Sequence, residues 1–336
     1  MQVDGVRGVF PAVLMALSLA APCSHAQSTA SASAAATPAA APGAKQTSFS
    51  SPQEAANALI EAAEKNDTAA LVGIFGPAGK DLVSSADPVE DKNNTRAFAD
   101  EARKFNAVKI DSKNPNRATL VVGEDRWPLP VPIVKSAAGW TFSTKEGHQE
   151  ILVRRIGSNE LNAIQVCRGY VEAQLQYASE AHDGSNIKQY AQRIISTPGK
   201  HDGLYWRNPD GSAGGTVSAA AAKAIQEGYT LDKKAAFHGY YFKILKGQGA
   251  AAPMGRLDYV IGGVMIGGFA MLATPAEYRV TGVKSFIVDY NGIVYEKDLG
   301  PDSLNVAKRI VLYNPDKTWV RTDDQWPDTA DAAAAP

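Results

Sequence analysis

The sequence predicts an α+β protein built from two successive parts, each running helix first and antiparallel sheet second. Three observations carry this. Apolar residues recur every three or four positions between 52 and 105; the pattern then alternates strand-like from 106 to 143; and the same order repeats, a long helical stretch from 158 followed by strand-like runs to 299. The expected organisation is a signal peptide over 1–26, a disordered linker over 27–47, an α+β domain over 48–156, a second over 157–326 and a disordered tail over 327–336.

The leader is read from a short apolar segment, Val9 to Ala21, ending in Ser24-His25-Ala26. Small residues at −3 and −1 predict cleavage after Ala26, and the following Ala/Ser/Pro/Gln tract reads as a tether. The basic n-region is thin, Arg7 offset by Asp4. Attachment of lipid at Cys23 is disfavoured by Pro22 before it. The expected location is therefore periplasmic or secreted.

Ser51-Pro52-Gln53-Glu54 is a helix start, with Ser51 as cap and Glu54 reaching back, and ordered sequence is expected from Phe49. That helix is expected to run to Lys65. Asp67 caps a short second helix stopped by Gly76-Pro77, and a third spans about 91–105. Strands are expected at 106–111, 117–123, 127–134 and 139–143, forming a curved antiparallel sheet. In WPLPVPI, Pro128, Pro130 and Pro132 fall at period two and remove the donors from one side of the strand. The segment is therefore expected at a sheet edge, with Trp127, Leu129, Val131 and Ile133 facing inward.

Helices are next expected at 146–156 and, beginning at Gly157-Ser158, to about His182. The second carries the stripe Leu161, Ile164, Cys167, Val171, Leu175 and Ala178. A short helix at 186–194, a loop at 196–206 and a helix at 219–227 follow. The last third reads as an antiparallel meander, with strands at 238–245, 257–261, 267–275, 283–290 and 293–299. Asn291-Gly292 is a tight hairpin turn, expected to need positive φ at both residues. A terminal helix is expected at 302–310.

The bulk numbers exclude several classes. With 336 residues and 45% hydrophobic content, there is material for one large or two ordinary domains. Loss of Cys23 with the leader leaves Cys167 alone, so no internal disulfide can form. Cys167 reads as a buried small hydrophobe rather than a reactive thiol. Charge is balanced, 34 basic against 35 acidic residues, without the basic stripe of a nucleic-acid binder. The apolar run 259–272 is short and broken by Gly262, Gly263, Gly267 and Gly268, so no transmembrane segment is expected after cleavage.

The segments PQEAANALIEAAEKND, TLVVGEDRWPLPVPIVK, YAQRIISTPGKHDGLYW, MIGGFAMLATPAEY and GVKSFIVDYNGIVYEKDLGPD make the chain similar to a bacterial family of exported proteins, domain of unknown function 2950. The resemblance runs from about 50 to 320. It implies export and implies no activity. Residues 50–143 also resemble NTF2-like or cystatin-like domains, whose curved sheet often holds a small-molecule cavity. Residues 158–300 resemble the globular part of pilins and pseudopilins, although the anchoring apolar helix of those proteins has no counterpart here.

HExxH, GxSxG and GxxxxGK[ST] motifs are missing, and His148, His182, His201 and His238 stand singly. No catalytic residue, metal ligand or cofactor is expected. The candidate binding surface is the turn bearing His201, Asp202, Tyr205 and Trp206, together with His238 and Tyr241; exposed aromatics there would suit peptide or sugar. The simpler alternative is that Tyr205 and Trp206 plug the loop onto the core. Glu277, Asp289, Glu296 and Asp298 could hold a divalent cation if they converge. The function expected is a non-enzymatic envelope module binding a partner protein or cell-wall component. The alternative is a periplasmic hydrolase or ligand-binding enzyme using the NTF2-like cavity.

Overall fold

The computed structural model describes residues 45–85, 87–218 and 236–323. The expected leader, most of the linker, the helix at 219–227 and the tail at 327–336 lie outside them. The chain divides into two compact units, Met1–Leu152 and Val153–Pro336, both mixing helices with largely antiparallel sheet. The architecture is α+β.

The first unit is fixed earlier than Phe49. Gln46 donates to the carbonyls of Ile74 (2.9 Å) and Phe142 (2.7 Å), and Thr47 N–H donates to Gly73. Helix α1 (Pro52–Glu64) is capped by Ser51, whose Oγ accepts from Glu54 N–H at 3.1 Å. The Glu54 carboxylate reaches back to Ser50 N–H at 3.0 Å, one residue before the cap. Asp67 caps α2 (Thr68–Phe75) through Ala70 N–H. A one-turn α3 (Lys80–Val83) follows, then α4 (Pro88–Lys104), which starts three residues before the expected 91 because Asp87 caps it through Val89 and Glu90 N–H.

Strands β1 (Asn106–Ile110), β2 (Arg117–Val122), β3 (Trp127–Pro128), β4 (Ile133–Ser136) and β5 (Gly139–Phe142) form one antiparallel sheet in the order β1-β2-β4-β5, with β3 also on β2. Helices α1, α2 and α4 cover one face. Leu59, Phe75, Phe98, Leu120 and Phe142 fill the space between, all nearly inaccessible.

The proline segment is not the edge strand expected. It breaks at 129–132, and its second half, β4, lies between β2 and β5. Leu129 N–H donates to Leu120 O at 2.8 Å, while Ser143 N–H reaches Pro132 O at 2.8 Å. The prolines lack donors, but their carbonyls still accept, so a neighbour can pair on that side. The inward residues are as expected: Leu129, Val131 and Ile133 are buried and Trp127 half-buried.

One uninterrupted helix, α5 (Thr144–Tyr177), replaces the two expected around Gly157. A glycine inside a helix costs only about 1 kcal/mol, and a side chain at 157 would meet nothing within 4 Å, so no tertiary feature forces a break there. The unit boundary falls inside this helix. It ends at Tyr177 rather than His182, with Asp183 and Gly184 in the left-handed region. Its buried face also differs: Ala163, Ile164, Cys167, Tyr170, Val171, Gln174 and Tyr177 are inside, whereas Leu161 and Leu175 are more than half exposed.

In the second unit, 186–194 is not helical. Gln174 explains why: its Oε1 accepts from Ala191 N–H and its Nε2 donates to Ala191 O, each at 2.8 Å, while Tyr190 N–H donates to Met265 O. The backbone groups a helix would use are taken by tertiary partners. Strands β6 (Arg193–Ile195) and β7 (Gly203–Arg207) pair parallel, and β8 (Ala213–Gly215) adds antiparallel to β7. The expected loop at 196–206 therefore contains a strand. Gly203 permits it, because a Cβ there would sit 2.7 Å from Ser196 N.

The main sheet takes β9 (Tyr240–Leu245) and, after the short strands β10 (Gly247–Gln248), β11 (Leu257–Asp258), β12 (Val260–Ile261) and β13 (Val264–Met265), continues with β14 (Ala270–Pro275), β15 (Lys284–Asp289) and β16 (Val294–Asp298). Helix α6 (Ser303–Arg309) and the closing strand β17 (Val320–Arg321) complete the order β17-β16-β15-β14-β9, all antiparallel. The β15–β16 hairpin is present with a different turn. Gly292 has φ +75° but Asn291 does not share it; Tyr290 and Asn291 are central, and Gly292 N–H donates to Asp289 O. The Asp289 carboxylate takes Asn291 N–H and Nδ2, holding the turn.

Candidate functional site

The second unit carries a cleft of about 630 Å³, in the range that small ligands occupy. Its walls are the C-terminal end of α5, the irregular segment before β6 and the Gly263 turn; Tyr177, Arg193, Asp202 and Lys246 are the groups that give it chemistry. Gln174 fixes one wall by gripping Ala191 from inside, with its amide also bonded to the Tyr170 hydroxyl at 2.9 Å. A second anchor is Gln192, which donates to Gly263 O at 2.7 Å and accepts from Lys246 Nζ at 3.3 Å.

Asp202 is held in place by Thr197, whose N–H reaches Oδ1 at 2.7 Å and whose hydroxyl reaches Oδ2 at 2.8 Å; Arg193 Nε stands 3.6 Å from Oδ2. Burial pushes this carboxyl up, but the Thr197 bonds and the Arg193 charge outweigh it and hold Asp202 below the usual aspartate range. Tyr177 goes the other way: burial, with Asp183 and Asp202 nearby, pushes its phenol up to about 12. At neutral pH it is a neutral donor, and it donates to His201 O at 2.5 Å.

Behind Tyr177 lies an aromatic cluster. His182 stacks on the Tyr177 ring with centroids 4.1 Å apart, and both His182 (5.7 Å) and His201 (4.7 Å) meet Trp206 edge-on. Asp183 binds the second histidine twice, through His201 N–H (2.8 Å) and Nδ1 (2.9 Å). The left-handed turn at Asp183-Gly184 is what brings this carboxylate back over the 200s loop.

The sequence candidates thus divide. His201 and Trp206 meet in the aromatic cluster and Asp202 lines the cleft, whereas Tyr205 is buried in the core and belongs to neither; Trp206 is half-buried, its Nε1 donating to Asn208 Oδ1. His238 does not join them. It occupies a tight turn against Phe237, next to Gly239, which abuts Asn159 near the middle of α5. Eighteen residues of helix separate Asn159 from Tyr177, roughly 27 Å. Tyr241 is buried within β9, opposite Thr274.

The four carboxylates weighed for a cation are spread along the hairpin and each serves locally. Asp289 braces its turn, Glu296 pairs with Lys284 at 3.3 Å, Asp298 accepts from Tyr278 hydroxyl and Gly300 N–H, and Glu277 lies in the loop before β15. Lys284 and Asp289 are five residues apart on one strand, about 17 Å, which separates Asp298 from Asp289 by the same span through the pairing register. Among the described residues no group of three His, Cys, Asp or Glu is placed to hold a metal ion. Burial pushes the Cys167 thiol up to about 12.

Tyr177, His182, Asp183, Arg193 and Lys246 were missed as site residues. The one signal available was His182-Asp183-Gly184, a turn element directly after a long helix that carries two groups able to bond. Arg193 and Lys246 offered none, since only folding sets them beside Asp202.

A family described as a protein of unknown function (DUF2950) matches residues 46–322. The chain belongs to this family. The match spans both units and every wall of the cleft. No curated protein matches the chain, and no solved structure does. Among the described residues no helix is long and apolar enough to cross a membrane.

Proposed function

We propose that this family member is an exported envelope protein that acts as a binding module, taking a partner protein or a cell-wall component in the cleft of its second unit. The leader pattern supports export, and the helix-then-meander order of this unit is what a pilin-like globular domain would have. The N-terminal helices on a curved sheet are the corresponding NTF2-like feature, but their shared face is filled by Leu59, Phe75, Phe98 and Phe142.

The observation that carries the reading is the charge state of the cleft. Its carboxylate is held ionised beside Arg193, and its phenol is held neutral. Proton transfer works best from a group whose pKa lies near the working pH, and these two are moved away from it. A fixed anion, two cations and the Gln189 and Gln192 amides instead match a ligand with both carboxylate and amine or amide groups, such as a short peptide or the peptide portion of a wall fragment.

The test is calorimetric titration of residues 27–336 with soluble wall muropeptides, and capture from envelope extract, using wild type and Arg193→Ala/Lys246→Ala. Binding that falls about tenfold or more in the variant, as expected when charge-assisted hydrogen bonds are lost, supports the reading. Turnover of an ester, glycoside or peptide substrate that a single change abolishes would replace it with the hydrolase reading.

A further inference from the structure

A second cavity of about 480 Å³ lies elsewhere in the same unit, between the loop 249–256, strand β16 and helix α6 with the segment that follows it. Its two kinds of lining are what single it out. Part of the lining is apolar, with Leu299, Val306, Ile310 and Trp319; Val311, also in the lining, is 62% exposed. The same lining carries three cations, Arg256, Lys297 and Arg309.

The walls are built rather than incidental. Gln248 is wholly buried and holds the 249–256 loop by donating to Pro253 O (2.5 Å) and Gly255 O (2.7 Å), while its Oε1 accepts from the Tyr259 hydroxyl. Asn314 Oδ1 ties the same loop through Ala251 N–H at 2.8 Å. Lys243 Nζ donates to Lys308 O in the last turn of α6 and to Ile310 O just after it. Lys297 is aimed by Thr318 Oγ1 at 2.6 Å and rides 5.8 Å above the Trp319 ring.

The acid in this lining, Asp316, is occupied with Thr318 N–H and hydroxyl. Among the described residues neither Arg256 nor Arg309 has a carboxylate within ion-pair distance, and both are exposed at the cavity mouth. Two guanidinium groups without a carboxylate partner among the described residues, lining one cavity together with apolar side chains, pose a specific demand: a planar anion for the guanidiniums, and carbon for the apolar lining. A bare anion would leave the apolar wall wet, and an apolar guest would leave the cations unmatched.

We infer that this cavity binds an amphiphilic carboxylate, its head on Arg256 and Arg309 and its hydrocarbon chain along Leu299, Ile310 and Trp319. This site is separate from the peptide-type cleft and does not depend on it.

The experiment titrates residues 27–336 with decanoate below its micellar range, with decyltrimethylammonium as the same tail on a cation and acetate as the same head without a tail. Binding is read by calorimetry and by tryptophan emission. Decanoate should bind one to one and change the emission, about tenfold or more tighter than either control. Arg256→Ala/Arg309→Ala should lose about tenfold in affinity, and Trp319→Phe should lose the emission change while keeping most of the heat. Equal binding of the cationic amphiphile, equal binding of acetate, no binding of decanoate, or an unaffected double-arginine variant would each overturn the inference. The head-group comparison uses only wild-type protein, so the outcome does not hang on how a variant folds.

Discussion

The two units bury different chemistry. Among the described residues, the first hides only Thr95 and Thr144 as polar side chains, whereas the second hides Gln174, Ser196, Gln248, Thr274, Ser285, Asp289, Ser303 and Thr322. The first is helices laid on a sheet, where regular structure satisfies most backbone groups and the side chains of Gln46 and Thr144 take the carbonyls of Ile74, Phe142 and Phe75. The second contains irregular segments at 186–192 and 249–256 whose backbone groups have no ladder to join. Buried backbone groups must still be paired, and Gln174 and Gln248 supply the partners. Each of the two cavities described above has a wall segment that one of these glutamines holds, Gln174 through Ala191 and Gln248 through Pro253 and Gly255.

The contrast can be broken most severely in the first unit. Phe75→Ala removes a ring that meets Phe142 edge-on at 5.3 Å in a dry core, and should cost about 3–5 kcal/mol in denaturant unfolding. In the second unit the informative change makes the core more apolar. Gln174→Leu keeps the volume but strands Ala191 N–H and C=O, and should cost about 1–3 kcal/mol for each group left unpaired. If leucine at 174 were neutral, the polar interior would have no role in stability.

Two aspartates sharpen the comparison through pH. Burial raises the Asp289 pKa against its Asn291 bonds, so its ionised form is disfavoured in the fold. That cost is present above the folded pKa and disappears as pH falls toward the unfolded value near 4. Asp202 has the opposite sign: its lowered pKa contributes stability above the unfolded value, which is lost as pH falls through the folded one. Thermal melts of Asp202→Asn should be lower than wild type at pH 7 and converge with it in acid. Asp289→Asn should lose less, or gain, at pH 7, with the difference again closing in acid.

The smallest effect concerns Cys167. A wholly buried thiol with its pKa pushed up to about 12 should not react with a disulfide reagent until the protein unfolds. In a Cys23→Ser chain, the thiol count should go from none to one on adding denaturant.

Much of this fold was legible because the signals were local. Caps at Ser51 and Asp67, the switch of period after Phe105 and the hairpin around Gly292 all use residues within a few positions of each other. What sequence reasoning misread depended on distant partners. The segment 186–194 looks helical until Gln174 claims Ala191, and the proline run looks like an edge until Ser143 finds the carbonyl of Pro132. The site was half legible for the same reason. His201, Asp202, Tyr205 and Trp206 are consecutive enough to be noticed, while Arg193 and Lys246 enter only through folding, and His238 lies in a turn beside Gly239, which packs near Asn159, about 27 Å along the helix from Tyr177.

The hold of Gln174 on the cleft wall is tested most directly by amide hydrogen exchange of residues 189–195 in wild type and in Gln174→Leu. The Ala191 amide should be protected in wild type and exchange much faster in the variant, while the amides of β14 keep their protection. Equal protection of Ala191 in both proteins would contradict that hold, since the cleft wall would then stand without the buried side chain said to hold it.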